Sequence, residues 1–267
     1  MSRTVTKEIV EREHSLSGEH LSLLAVFAHP EDEAFGPAGM LAKYATEGVQ
    51  VSLVTALRER AVPMDIVLTV AAETGQRDVT CSCRTTGVRR ICLMEQKPIQ
   101  LDLNDLPAVE ERLVRVIREI RPQVVVTYGN DGLSGDPDHI RISEMTTRAF
   151  LRAGDESAFV GHMREGLTPY AAQKLYYVVM PSSLLQRWGV KGITGVPDEQ
   201  ITTVLDVTLF AESKLKALYC QRNHILDYAR WLSEDKRAEL NSEYFLLARS
   251  NLGRKPRRES DLFFGLR

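Results

Sequence analysis

Cysteine is scarce in this chain: Cys81, Cys83, Cys92 and Cys220 are the four among 267 residues. Thiols so few and so scattered do not make the dense disulfide framework of a small secreted domain. The only close pair is spaced C-x-C rather than the C-x-x-C of a redox or zinc knuckle. All four read as reduced thiols in packing or surface roles. Long apolar runs are missing as well. No stretch approaches the ~18 residues a membrane helix needs, and the opening MSRTVTKEIVEREHSLSGEH carries charges where a signal peptide has its apolar core. The expectation is a cytoplasmic protein without membrane insertion. Nor does either charge dominate: 34 basic against 36 acidic residues leave a net −2, which provides no global field to draw nucleic acid. Internal repeats and low-complexity tracts are absent, so solenoids and tethered modules are set aside. What remains is 43% apolar and 26% charged, the composition of an ordinary globular domain with a small-molecule partner.

The strongest positive signal is alternation of strand and helix patterns. Leu21 to Ala28 is a nearly unbroken apolar run, Phe35 to Glu47 carries apolar residues at helical spacing until Gly48, and Val49 to Ala56 reads as a second strand. Strand, helix and strand within about 36 residues make a βαβ unit with parallel strands. A further helix is expected over Val70 to Thr86 and a strand in VRRICLM. Asp105 is placed to cap the next helix. Its apolar stripe is Val109, Leu113, Val116, Ile117 and Ile120, and it ends before Pro122. Gln123 to Gly129 is β-branched enough for a strand buried on both faces, and it empties into the polar loop NDGLSGDPDH. Lys174 to Met180 and Ile201 to Val207 read as later strands, and about Leu209 to Tyr228 as a helix. The basic tail around Arg254, Lys255, Arg257 and Arg258 reads as solvated surface.

In a parallel α/β sheet, ligands bind beyond the carboxyl ends of the strands. Two loops there are dense in metal-binding groups: HPEDE, His29 to Glu33, after the first strand, and DPDH, Asp136 to His139, after QVVVTYG. A catalytic zinc site takes three protein ligands from imidazole and carboxylate and leaves a position for water. Loop one can supply His29 and Asp32, loop two His139. His14 and His20 sit in the charged leader, and His162 and His224 lack such company. Gly36-x-x-Gly39 is not a dinucleotide fingerprint, no P-loop sequence follows a strand, and no G-x-S-x-G elbow exists.

AVFAHPEDEAFGPAGMLAKYATEGVQVSLVTALR resembles the opening of the PIG-L/LmbE family of metal-dependent N-deacetylases, whose hallmark is A-H-P-D-D-E. Gly135-Asp136-Pro137-Asp138-His139 matches that family's second hallmark, G-H-P-D-H, and weaker similarity runs through TTVLDVTLFAESKLKALYCQR. The resemblance implies an α/β, Rossmann-like sandwich with a mostly parallel central sheet. It implies one domain over residues 1–267, with residues 1–20 as a charged leader. The implied cofactor is zinc, with ferrous iron as the other candidate. The implied reaction is hydrolysis of an acetamide on an amino sugar or related small-molecule conjugate.

Carried over by position, His29, Asp32 and His139 are the ligands and Glu31 is the general base, standing where the family has Asp. Asp136 stands where the family usually has a His that stabilises the oxyanion or protonates the leaving amine. Ionised beside a dication, Asp136 does neither. Arg58, in Leu57-Arg58-Glu59-Arg60 where the family often shows T-R-G-E, is a substrate-binding candidate. The rival reading is a family member that keeps fold and ligands but has altered or lost the deacetylase chemistry and acts as a metal- or sugar-binding protein. A homo-oligomer stays open on either reading.

Overall fold

A computed structural model describes residues 20–56, 67–93, 106–222, 240–253 and 258–267. The leader before His20, Arg58, the cap expected at Asp105, His14, His224, and Arg254, Lys255 and Arg257 of the basic tail lie outside the described residues. The strands are β1 (Ser22–Phe27), β2 (Gln50–Thr55), β3 (Arg90–Leu93), β4 (Val124–Tyr128), β5 (Lys174–Val179), β6 (Thr203–Asp206) and β7 (Ser242–Ser250). The helices are α1 (Asp32–Phe35), α2 (Ala38–Thr46), α3 (Val67–Thr86), α4 (Leu106–Ile120), α5 (Pro137–Arg152), α6 (Gly161–Arg164), α7 (Ser182–Trp188) and α8 (Ala211–Cys220).

The fold is α/β and Rossmann-like. Its seven described strands run in the order β3-β2-β1-β4-β5-β7-β6. The pairs β2–β3, β1–β4 and β4–β5 are parallel, and β5–β7 is antiparallel with a register shift at Leu175/Tyr176. All six residues of β1 and all five of β4 are buried, which is why both read as continuous apolar runs rather than alternating ones. Strand order reverses between β1 and β4, so the loops leaving those two strands depart from the topological switch point, where ligands bind in this architecture.

The chain divides into two compact units. Among the described residues, one lies within Phe27–Gln100 and Val207–Ser242; the other lies within Leu21–Val26, Leu101–Asp206 and Glu243–Arg267. In the first, α8 packs on α1, α2 and α3. A cluster of Ala34, Ala38, Ala217 and Leu218 there has Phe35 packed against it. The helix expected over Phe35 to Glu47 is split. Gly36 donates its N–H to Asp32 O and ends α1 with φ −85° and ψ −88°, and Pro37, lacking an N–H, starts the chain afresh before α2. Cys81 and Cys220 form a disulfide joining α3 to α8, which corrects the expectation of four reduced thiols; Cys83 and Cys92 are buried and take no part in a disulfide.

In the second unit α4 lies against α5, and α5 against β4. Val109, Leu113 and Ile117 of the expected α4 stripe are buried together with Val114, whereas Val116 and Ile120 are half-buried. Arg118 is buried at the end of that helix. Its guanidinium donates to the carbonyls of Ala153, Asp155 and Ala158 at 2.8–3.0 Å and lies 3.2 Å from His162 Nδ1. Burial, then the Arg115 and Arg118 charges, lower the His162 pKa, so His162 is a neutral structural imidazole.

This unit also holds a buried ion pair. Lys174 Nζ lies 2.7 Å from Glu259 Oε1 and donates to the Tyr176 hydroxyl at 3.0 Å, while that hydroxyl donates to the other Glu259 oxygen. Lys174→Ala would leave a buried carboxylate without its cation, so a loss of about 3–5 kcal/mol is expected in urea unfolding. Replacing both residues by methionine should recover most of it. A single variant as stable as the parent would show that the pair is not buried in solution.

Candidate metal centre

The first motif loop is held by its own acid. Asp32 Oδ2 accepts the backbone N–H of His29 at 2.8 Å and of Ala28 at 3.1 Å, and it lies 3.8 Å from His29 Nδ1. A carboxylate accepting two amides at the end of a buried strand is fixed in place. His29 and Asp32 are buried with it, at 4% and 6% exposure. Glu31 is the residue before α1. Its carbonyl accepts the N–H groups of Ala34 and Phe35, but its side chain does not cap the helix, and it is half-buried.

Glu33 points the other way, fully buried. Burial raises its pKa well above the usual carboxylate range, offset in part by the Ser82 hydroxyl, and the neighbouring Asp32 and Glu31 charges push it further up. The uncharged form is therefore favoured. Gln221 Nε2 donates to Glu33 Oε1 at 3.0 Å and to Pro30 O at 3.4 Å, and Lys214 Nζ donates to Gly36 O at 2.9 Å. Two polar residues seven apart, one in α8 and one just past its end, thus hold both ends of the motif loop. Sequence reading assigned no role to Glu33, Lys214 or Gln221. The available signal was the i, i+7 spacing of Lys214 and Gln221 beside an apolar face.

The second motif is a loop that becomes a helix. Gly132, Leu133 and Gly135 all have positive φ, at 65°, 66° and 74°. Leucine rarely adopts this region, so backbone strain is concentrated at Leu133, a pattern that clusters at functional sites. Asp136 is the N-cap of α5: Oδ1 accepts the Asp138 N–H at 2.8 Å, and Pro137 follows at the first helical position. The cap sets α5 going and thereby places His139 in its first turn. The His139 ring stacks on Tyr128 with centroids 4.4 Å apart, and Nδ1 lies 3.1 Å from Gly132 O and 3.3 Å from Ser134 Oγ. A carbonyl can only accept, so Nδ1 carries the proton and Nε2 presents its lone pair, as in a metal-ligating histidine. A Cβ on Gly132 would fall 2.7 Å from His139 Cβ, so only glycine lets the loop close over this ring.

Among the described residues, two groupings of three His and Asp residues could hold a metal ion: His29, Asp32 and His139, and His29, Asp136 and Asp138. The first contains the three ligands expected from sequence. The donors fit the chemistry: two imidazoles and a carboxylate, with the Asp32 carboxylate fixed by the Ala28 and His29 amides and the His139 ring by Gly132 O.

Residues 24–150 match the family described as PIG-L, GlcNAc-PI de-N-acetylase. The chain is 30% identical over 290 residues to a 1D-myo-inositol 2-acetamido-2-deoxy-alpha-D-glucopyranoside deacetylase of Thermobifida fusca, covering 90% of this chain and 98% of that protein. The chain belongs to the PIG-L family. It is a metal-dependent N-deacetylase of that family, with its candidate His/Asp site on the two hallmark motifs. Among solved structures, N,N'-diacetylchitobiose deacetylase from Pyrococcus horikoshii aligns with TM-score 0.65 at 17% identity, covering 92% of this chain and 86% of that one. The 4-carboxy-2-hydroxymuconate hydratase of Pseudomonas putida KT2440 aligns with TM-score 0.63 at 18% identity over 88% and 99%. Those two likenesses speak to the fold alone. No described helix is long and apolar enough to cross a membrane.

Proposed function

We propose that this family member removes the acetyl group from an N-acetylglucosamine-type conjugate, working as a single cytoplasmic domain with zinc as its metal and ferrous iron as the alternative. His29, Asp32 and His139 are the metal ligands and Glu31 is the base. The substrate class follows the family and its inositol-linked amino-sugar relatives. The observation that carries the metal assignment is the His139 ring, held by Gly132 O so that Nε2 is the ligating nitrogen.

Bound, a divalent ion supplies Lewis acidity that polarises the acetamide carbonyl and acidifies water. Glu31 takes the proton of the attacking water and returns it to the departing amine, leaving acetate and a free amino sugar. Asp32, buried and accepting the Ala28 and His29 amides, keeps the ligand geometry of the first loop without rearrangement. Arg58, which follows β2 in the sequence, is assigned to the substrate's hydroxyl or acidic groups.

The test pairs metal content of protein purified without added metal with primary-amine release from a panel of N-acetyl amino sugars. About one zinc or iron per chain with amine release is expected from a three-ligand catalytic site. Stoichiometric metal with no release on any substrate would favour the altered family member, and failure to take up metal would remove the ligand assignment.

Asp136 is where such an alteration lies, and its cap bond to Asp138 accounts for a carboxylate at this position. Asp136→His exchanges that cap for a group able to donate a proton. Stability should fall by about 1 kcal/mol, while turnover on N-acetylglucosamine should rise by up to ~10²-fold, the lower end for a positioned general acid. Unchanged turnover with intact folding and metal would show that this exchange does not limit deacetylation.

A further inference from the structure

We propose that Cys81–Cys220 is a thiol-exchange site, opened by a carboxylate-bearing low-molecular-weight thiol that enters the adjacent cationic cavity, and that opening it loosens the HPEDE loop. The two sulfurs join α3 to the last residue of α8 and line a cavity of about 430 Å³ together with the cations Arg77, Lys216 and Arg222 and one carboxylate, Asp78, so that basic side chains outnumber the acid there. Cys81 is exposed and Cys220 is buried, so an incoming thiolate meets Cys81 first. Of the cations, Lys216 also pairs with Glu212 at 2.7 Å, at the outer side of α8. A cation-lined cavity favours both an anionic thiol and the thiolate that leaves. A disulfide in a cytoplasmic protein is most often transient or redox-sensing, which suits this placement.

The thiolate attacks Cys81 Sγ, the Sγ–Sγ bond breaks, and its electron pair leaves on Cys220 as a thiolate. A second thiolate attacks the mixed disulfide and releases Cys81. Two small thiols are oxidised to their disulfide while the protein disulfide is reduced to two thiols.

The consequence runs through Gln221, which follows Cys220 directly and holds Pro30 O and Glu33 Oε1. With the disulfide open, the end of α8 keeps its packing on α3, the Arg222 N–H to Asp78 Oδ2 bond and Lys214 on Gly36 O. The other two thiols do not compete. Both are buried, and burial pushes the Cys83 thiol well above the usual range.

The test uses the full chain purified without reductant and read by isotope-coded alkylation with peptide mass spectrometry. Cys81 and Cys220 are expected to label only after reduction. Each thiol's rate is divided by its rate on a small uncharged disulfide. So normalised, glutathione should open the bond at least about fivefold faster than cationic cysteamine, and Lys216→Gln should shrink that ratio. In Cys220→Ser, glutathione disulfide should leave a mixed disulfide on Cys81. On opening, hydrogen exchange of the Ala34 and Phe35 amides should accelerate by about fivefold or more. Labelling of both cysteines before reduction, or equal normalised rates for the two thiols, would overturn the exchange site. Unchanged amide exchange in the reduced chain would overturn the link to the loop. None of these readouts needs deacetylase turnover, so failure here is distinct from failure of the catalytic reading.

Discussion

Asp32→Asn is expected to abolish metal retention and to lower amine release by about 10³-fold or more, with the fold intact. The Asp32 side chain performs two separable tasks. Oδ2 accepts the N–H groups of Ala28 and His29, and an asparagine carbonyl oxygen can accept the same bonds, so the loop keeps its shape. What the amide lacks is negative charge, and a neutral oxygen is a poor substitute for carboxylate on a dication. A catalytic metal contributes several kcal/mol of transition-state stabilisation, and about 4 kcal/mol corresponds to about 10³-fold in rate. Metal analysis by mass spectrometry, circular dichroism and amine release on the same preparation check the three statements. Full metal content in a folded Asp32→Asn protein would remove Asp32 from the ligand set. His29→Ala should behave alike in metal and rate.

The parts of this protein legible in the sequence are those whose cause is local. β1 and β4 announce themselves because a strand buried on both faces must be apolar throughout, and the two motifs because each follows such a strand. α5 was hidden behind its own cap. Asp136-Pro137 is a turn signal as well as an N-cap followed by a first-position proline, and only the buried stripe of Ile142, Met145, Ala149 and Phe150 further on distinguishes the two. The break at Gly36-Pro37 sits inside an unbroken apolar periodicity, which the backbone overrides. β7 lacks clean alternation because Tyr244, Phe245, Leu246 and Leu247 are apolar in succession while Tyr244, Leu246 and Leu247 are only half-buried. The supports of the first motif were illegible for a different reason. Lys214 reaches Gly36 across 178 positions and Gln221 reaches Glu33 across 188, and Cys81 meets Cys220 across 139, separations at which no local pattern pairs residues. Resemblance flagged the α8 segment as a whole, and the hydrogen bonds explain why it belongs with the motif.

Glu31→Gln should give the opposite split: metal retained at the parental stoichiometry, and kcat lower by about 10²–10⁴-fold, the range for losing a positioned general base. Glu31 lies outside the proposed ligand set, and its backbone carbonyl, not its side chain, starts α1 by accepting the Ala34 and Phe35 N–H groups. The glutamine therefore leaves helix and metal in place and removes only the ability to accept a proton. KM should change little, because the lost interaction belongs to proton transfer and not to ground-state binding. Glu31→Asp is the informative companion, since it restores the residue of the family motif and withdraws the carboxylate by about one C–C bond. If α1 is set for glutamate, a misplacement of that order costs up to ~10²-fold. If aspartate is equal or better, the longer side chain is incidental. Full activity in Glu31→Gln would assign the base to another group, and loss of metal would place Glu31 among the ligands.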